Sequence, residues 1–141
     1  MSDANSLKQA MAPYPQELRI HVSGRLENGE RVVAGIFRGR SIRSCVDVQL
    51  PTGMVYCQLL LLFSFENAGK ALVRLFSTDF GTRHPNLKLA GLSPLRRLRQ
   101  FKVVALTSIK HHVHILPDES AEGDPEAFFI NPYVNLCHSK I

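Results

Sequence analysis

Three closely spaced histidines, His111, His112 and His114, are the residues whose type and spacing first suggest chemistry. If this segment is a β-strand, His112 and His114 share one face and can chelate zinc or copper. A structural or catalytic metal site needs three or four protein ligands, and no Cys-x-x-Cys or His-Glu-x-x-His motif provides the others. We therefore predict no metal site and no cofactor. The expected arrangement is a row of histidines facing solvent or a partner, with metal binding as the alternative.

The patterns that support nucleophilic or phosphoryl-transfer catalysis are absent from the sequence. The chain has no Gly-x-Ser-x-Gly motif, no phosphate-binding glycine loop and no dinucleotide-binding fingerprint. Asp47, Asp79 and Asp118 resemble a carboxylate set for two-metal nuclease chemistry, but aspartates at strand ends are usually turn formers. We predict that the protein has no catalytic residues and is not an enzyme.

Positive charge is concentrated in the first part of the chain. Up to Pro117 there are 16 Lys plus Arg and 7 Asp plus Glu, whereas the remainder has 1 and 5, which together give the net charge of +5. A basic body favours attraction to nucleic acid or another polyanion. The alternative is an ordinary soluble surface with surplus cations.

Most of these cations lie on predicted connections rather than inside predicted strands. Arginine forks on such connections can hold phosphates bidentately, and the contacts are salt-sensitive and largely independent of base sequence. A solvated charged rim is the alternative interpretation. The residues predicted to contact nucleic acid are Arg38, Arg40, Arg43, Arg83, Arg96, Arg97, Arg99 and Lys102.

A long β-hairpin is the element around which the predicted fold is organised. Two apolar segments, residues 55–65 and 71–77, flank the five-residue polar loop Glu66-Asn67-Ala68-Gly69-Lys70. The odd-numbered residues of 55–65 are apolar, as are Ala71, Val73 and Leu75, so one face of the hairpin needs a packed layer. Cys57 is expected in that core.

Further short strands are predicted at residues 18–23, 31–37, 46–50, 102–106 and 109–116. Asn28-Gly29 predicts a hairpin turn between the first two, and Ser93-Pro94 predicts the start of a short helix over residues 93–99. The sequence therefore predicts a mainly β fold, a small antiparallel barrel of six or seven strands with at most one or two short helices. Residues 1–16 are predicted to be a flexible lead-in, residues 17–117 the barrel, and residues 118–141 an acidic spacer and docked tail.

The cysteine count and the hydropathy pattern indicate a protein of a reducing compartment. Cys45, Cys57 and Cys137 are an odd number at wide spacing, which argues against a disulfide framework. No apolar run approaches the roughly 20 residues of a membrane-spanning helix, and the N-terminus lacks a secretory pattern. We expect an intracellular protein that binds neither membrane nor a small-molecule substrate.

The order and spacing of several segments between residues 18 and 136 resemble those of a known protein family. They are the strand pair at 57–63 and 71–76, His84-Pro85, residues 103–109, and residues 114–118 leading to 128–134. In these the chain resembles the β-barrel module at the C-terminal end of transposase-derived proteins encoded by eukaryotic DNA transposons. Those modules are in turn similar to the bromo-adjacent homology (BAH) domain of chromatin proteins.

The resemblance implies a non-catalytic, β-rich module for contacts with chromatin, DNA or protein, and implies that the catalytic portion of such a transposase is not in this sequence. Together with the charge pattern it leads us to expect a nuclear, transposon-derived or chromatin-associated protein that contacts DNA or a nucleosomal surface through its Arg-rich loops. The alternative is a protein-interaction or assembly domain that uses the C-terminal tail or a sheet edge.

Overall fold

A computed structural model describes residues 3–15, 18–37, 40–78, 93–118 and 123–130, with side chains described for all of these except 3–5, 36, 37, 40–42, 78 and 93. The described chain is mainly β, as predicted, with one α-helix and one 3₁₀ turn. Its elements are α1 Asp3–Met11, β1 Arg19–His21, β2 Ser23–Arg25, β3 Arg31–Phe37, β4 Arg40–Arg43, β5 Cys45–Leu50, β6 Gly53–Phe65, β7 Ala68–Thr78, β8 Ser93–Ala105, the 3₁₀ turn Leu106–Ser108, β9 Ile109–Val113, β10 Ile115–Pro117 and β11 Ala127–Ile130.

The strands form two antiparallel sheets. The larger has eight strands in the order β10-β11-β8-β7-β6-β5-β9, with β1 paired to β6 beside this path, and the smaller has the order β2-β3-β4. Only His114 separates β9 from β10, although these strands lie at opposite ends of the order. The large sheet is therefore curled, because its two end strands, β9 and β10, are consecutive segments of the chain. Among the described strands, no hydrogen-bonded pair closes it into a barrel.

The predicted long hairpin is confirmed as β6 and β7, with a shorter turn than expected. Phe65 pairs with Ala68, and the two residues between them, Glu66 and Asn67, have φ of 52° and 63°. Positive φ at both central residues is typical of a type I′ turn, which matches the twist of the flanking strands. The five-residue loop predicted at residues 66–70 is wrong, because residues 68–70 continue the strand pairing instead.

A bulge in β6 changes which residues face the core. Cys57 and Leu59 are buried in it, as their odd numbers predict, and Cys57 is 1% exposed. The register then shifts between Leu59 and Leu61, so Leu62 joins the core in place of Leu61. An extra residue in one strand reverses the alternation beyond it. Phe63 is consequently buried on the opposite face, where its ring meets that of Tyr14 edge-on at 5.1 Å.

The segment from residue 93 to 105 is a strand, so the predicted short helix at residues 93–99 is wrong. β8 pairs with β7 along most of its length and with β11 over its first four residues. Leu95 within it is fully buried. Backbone pairing on both sides and burial of Leu95 outweigh the local preference of Ser93-Pro94 for a helix start. Likewise, the basic connection predicted at residues 38–43 contains a strand, β4, paired with β3.

An N-terminal helix lies where a frayed lead-in was expected. The backbone N–H of Phe101 in β8 donates to the hydroxyl oxygen of Ser6 in α1 at 3.2 Å. Tyr14, which follows the helix, packs edge-on against both Phe63 and Phe65. The helix thus lies against β8 beyond the residues that pair with β11. In the described part of the chain, no helix has the length and apolar character needed to span a membrane.

Candidate nucleic-acid interface

The hairpin formed by β2 and β3 places two arginines directly opposite each other. Gly29, with φ of 89°, follows a tight turn in which its N–H donates to the carbonyl of Leu26 at 2.9 Å. This confirms the turn predicted from Asn28-Gly29, since glycine adopts positive φ without steric cost. The register that follows pairs Arg25 with Arg31. Directly opposed residues in an antiparallel pair share a face, with Cβ atoms about 5 Å apart.

The two guanidinium groups are anchored by neutral acceptors only. Arg31 Nη2 donates to the hydroxyl of Ser23 at 3.1 Å, and Arg25 Nη1 donates to the carbonyl of Gly29 at 3.3 Å. Both side chains are exposed, and neither has a carboxylate partner in the described part of the chain. Two like charges on directly opposed residues repel each other, and no carboxylate of the described chain offsets this repulsion.

Glu30, which precedes Arg31 on the hairpin, is directed towards Asn28 and His112. Both oxygens of the Glu30 carboxylate are engaged: Oε1 accepts from the side-chain amide of Asn28, and Oε2 accepts from the backbone N–H of His112 in β9 at 3.3 Å. The Asn28 amide also donates to the carbonyl of Lys110 at 2.9 Å. These bonds fix the hairpin tip against β9 and leave the arginine charges uncompensated by Glu30.

The stretch that builds these small strands contains arginine as its only cationic residue type. Residues 19–43 contain six arginines, no lysine and two glutamates. Arg19 on β1 and Arg43 at the end of β4 are also exposed. Arg43 pairs with Ala34, whose buried side chain lies on the core face of β3, so Arg43 lies on the opposite face from Arg25 and Arg31 and is not part of their surface.

On β8, in contrast, the predicted arginines meet carboxylates of the same chain. Arg96 Nη2 contacts Asp124 Oδ2 at 2.6 Å. Arg97 binds Glu126 with two prongs, from Nε to Oε2 at 2.9 Å and from Nη2 to Oε1 at 3.2 Å. Arg74 on β7 adds a third contact, from Nη2 to Glu126 Oε2 at 3.2 Å. The Arg97 hydrogen bond is the main reason that the pKa of Glu126 lies below its ordinary value.

Of the eight cations predicted to contact nucleic acid, five have described side chains, Arg43 on β4 and the other four on β8. Arg97 is brought together with Arg74 at Glu126, and Arg96 contacts Asp124. Arg99 and Lys102 are exposed on β8. For Arg40 the backbone alone is described, and the predictions at Arg38 and Arg83 lie outside the described residues.

Sequence reasoning missed Arg25, Arg31 and Arg74. The sequence did not mark the first two, because a two-residue Asn28-Gly29 turn would place Arg25 opposite Val32, whereas the observed three-residue turn at residues 27–29 places it opposite Arg31. No signal marked Arg74, whose partner Glu126 lies 52 residues away in the sequence.

The histidine segment is hydrogen-bonded to Asp47 through His111. His111 donates its backbone N–H to Asp47 Oδ1 at 2.6 Å, and its ring Nδ1 lies 3.2 Å from Asp47 Oδ2. Burial lowers the pKa of His112 below its ordinary value, and Nδ1 of His114 is buried without a hydrogen-bond partner. Among the described residues no group of three or more His, Cys, Asp or Glu side chains is placed to hold a metal ion.

The two described cysteines are shielded thiols. Burial raises the pKa of Cys45 to about 11 and that of Cys57 to about 12. A thiol with such a raised pKa is a poor nucleophile at neutral pH, because the thiolate is the reactive form. Of the three aspartates considered for nuclease chemistry, Asp47 binds His111, Asp118 is buried, and Asp79 lies outside the described residues.

An apolar groove of about 340 Å³ lies where β6, β7 and the middle of β8 meet. Its lining is Met54, Val55, Tyr56, Leu75, Phe76, Ser77 and Leu98. Its lining carries two hydroxyl groups, of Tyr56 and Ser77, and no Asp, Glu, His, Lys or Arg.

Comparisons of the chain with protein-family models, with curated proteins and with solved structures found no match. The functional proposal therefore depends on the geometry of the described residues.

Proposed function

We propose that the protein is a non-catalytic binding module that contacts the phosphates of DNA or a nucleosomal surface. The observation that carries this proposal is the directly opposed pair Arg25 and Arg31, exposed and without a carboxylate partner in the described chain. The module acts on chromatin in the nucleus, where its ligand is found.

Two features favour phosphate as the ligand. A guanidinium has five N–H donors in a rigid fork, and one of them is used in each of Arg25 and Arg31. The remaining donors match the bidentate geometry of phosphate oxygens. Contacts of this kind position a protein on nucleic acid without reading base sequence.

We also propose that the fold is a BAH-like barrel of a transposon-derived protein. Support comes from β9 and β10, which lie one residue apart yet pair with strands at opposite ends of the large sheet. NMR cross-strand contacts between β9 and β11 test closure of the barrel. Their absence in the protein in solution contradicts it.

A titration of labelled duplex DNA with the full chain, followed by fluorescence anisotropy at about 50 and 200 mM salt, tests the function. We expect binding that weakens steeply with salt, since each neutralised phosphate contributes a slope of about −0.9 in log K against log salt. Equal affinity for unrelated duplexes is expected as well. Undetectable binding at the lower salt concentration overturns the proposal.

A second candidate function is protein interaction through a sheet edge. Ile20 on β1 and Val22 beside it are 60% and 54% exposed, which is unusual for β-branched apolar residues next to a sheet. β1 pairs with β6 and with no other described strand. Sedimentation of the wild type and of Ile20→Ser tests this candidate: self-association or partner binding lost in the variant supports it, and identical behaviour opposes it.

A further inference from the structure

The short stretch before β11 lies across the arginines of β8. The backbone N–H of Arg97 donates to the carbonyl of Glu126 at 2.9 Å, and Ala127 of β11 pairs with Arg96. A turn holds the two carboxylates in order, because the N–H of Glu126 donates to Asp124 Oδ1 at 3.2 Å. Asp124 and Glu126 are thereby fixed over Arg96 and Arg97.

The contacts of Glu126 have the geometry with which arginines bind a phosphate. Arg97 grips the carboxylate with two parallel donors, and Arg74 approaches one of the same oxygens. Two guanidinium groups converging on one anion, with a two-pronged grip from one of them, are a recurrent means of phosphate recognition. A side-chain carboxylate is smaller than a phosphate but accepts the same two parallel hydrogen bonds from an arginine.

Both guanidinium groups of this site are positioned by groups other than the carboxylate. Arg74 Nε donates to the carbonyl of Leu98 at 2.6 Å, and its guanidinium lies 5.6 Å from the ring centroid of Phe101. The guanidinium of Arg97 lies 5.0 Å from the ring centroid of Phe128. Removing Glu126 therefore leaves two oriented cations, with side chains 15% and 22% exposed, around the place of an anion.

The outer contact is easier to break than the inner one. The side chains of Arg96 and Asp124 are 43% and 28% exposed, so water competes for both.

We propose that the arginines paired with Asp124 and Glu126 bind phosphates. Arg74 and Arg97 form a second phosphate-binding site, which Glu126 occupies as an internal competitor. Arg96 is an additional contact on the opposite face of β8, which Asp124 occupies. A phosphate-bearing polyanion binds β8 when these two carboxylates move aside, and the segment around residues 123–126 thereby limits the affinity of the module. The choice of DNA as the polyanion rests on the proposed function, whereas the anion site itself does not.

The test compares Asp124→Asn and Glu126→Gln with Glu66→Gln, an exposed glutamate in the β6–β7 turn, because all three variants raise the net charge by one. Anisotropy titrations with duplex DNA are the first measurement. We expect Asp124→Asn and Glu126→Gln each to bind about fivefold to tenfold more tightly than Glu66→Gln, with a salt slope steeper by about one. Adding Arg96→Gln to Asp124→Asn, or Arg97→Gln to Glu126→Gln, should cancel the gain.

The second measurement uses inorganic pyrophosphate as the probe, followed through the arginine Nε–H signals in NMR spectra. Saturable shifts at Arg74 and Arg97 in the Glu126→Gln variant, at concentrations that leave the wild type unchanged, support the second site. Thermal unfolding establishes that each variant is folded. Should Glu126→Gln fail to fold, Asp124→Asn carries the test, since its ion pair is the more exposed one.

The outcomes separate the two proposals. If wild type binds DNA but both neutralising variants bind no more tightly than Glu66→Gln, the second site is overturned and the proposed function stands. If wild type does not bind DNA but the variants bind pyrophosphate through Arg97, the second site stands and the proposed function falls. If no variant binds DNA or pyrophosphate, both are overturned.

Discussion

Arg97 and Glu126 form a two-pronged ion pair, 2.9 and 3.2 Å long, that joins the middle of β8 to the residue preceding β11. Arg74 shares one oxygen of the same carboxylate, so one acidic side chain offsets two partly buried cations. This pair explains why a stretch of sequence that is visibly basic does not present all of its charge to solvent.

Removal of the carboxylate should destabilise the protein. We expect Glu126→Ala to lower the free energy of unfolding by about 1–2 kcal/mol, less than for a fully buried pair because the side chains are partly exposed. Asp124→Ala should cost less than about 1 kcal/mol, since its pair with Arg96 is more exposed. Urea denaturation of both variants provides the measurement. Equal losses of unfolding free energy in the two variants would show that the Glu126 contacts stabilise the fold no more than the Asp124 contact does.

Acid should weaken this contact. The pKa of Glu126 is lowered in the folded protein, chiefly by its hydrogen bond from Arg97, so the folded state binds this proton less readily than the unfolded state does. The stabilisation is present above the unfolded value of 4.5 and is lost as the pH falls through the folded value. Urea midpoints between pH 6 and 3 should fall more steeply for wild type than for Glu126→Gln. Parallel curves would contradict the assignment.

His112 predicts a second pH dependence, at higher pH. Burial lowers its pKa below the ordinary 6.5, despite the opposing charge of Glu30, so the unfolded state takes up the proton first. Stability should therefore decline as the pH falls from 6.5 towards the folded value. The decline should be absent from His112→Gln, with His111→Gln as the neighbouring control. A decline of the same size in both variants would assign it to other groups.

Because of the bulge in β6, the core residue after Leu59 is Leu62, whereas strict alternation along the strand would predict Leu61. Leu62 is 3% exposed and lies in the core, whereas Leu61 is only half buried. We expect Leu62→Ala to cost about 3 kcal/mol of unfolding free energy and Leu61→Ala about 1 kcal/mol. Chemical denaturation of the two variants measures both losses of unfolding free energy. The opposite ranking would mean that the strand continues without a bulge.

Much of the strand content was predictable from the sequence, for physical reasons. The apolar, β-forming segments on either side of Glu66 and Asn67 have few other ways to bury their side chains, and the hairpin they predict is present. Cys57 likewise lies in the core, because the alternation holds up to Leu59.

What the sequence did not reveal depends on contacts between distant residues. The helix expected after Ser93 is a strand, because it pairs with β7 before it and with β11, which follows only after β9 and β10. Arg96 and Arg97 look like free cations until Asp124 and Glu126, 28 and 29 residues later, are placed against them. The opposed pair Arg25 and Arg31 follows from hairpin register, which local composition does not specify.

The most direct test of the proposed interface is DNA affinity after loss of the opposed pair. Arg25→Gln with Arg31→Gln is compared with Lys8→Gln with Lys70→Gln, a pair of cations on α1 and β7 that removes the same charge. Replacing both arginines by lysine keeps the charge and removes the forks. At a fixed salt concentration we predict roughly tenfold or greater weakening for the arginine-to-glutamine double variant, from loss of charge-assisted hydrogen bonds worth about 1.5 kcal/mol or more. The lysine replacement should show an intermediate loss and the control little change. Equal affinities for the arginine variant and its charge-matched control would contradict the account.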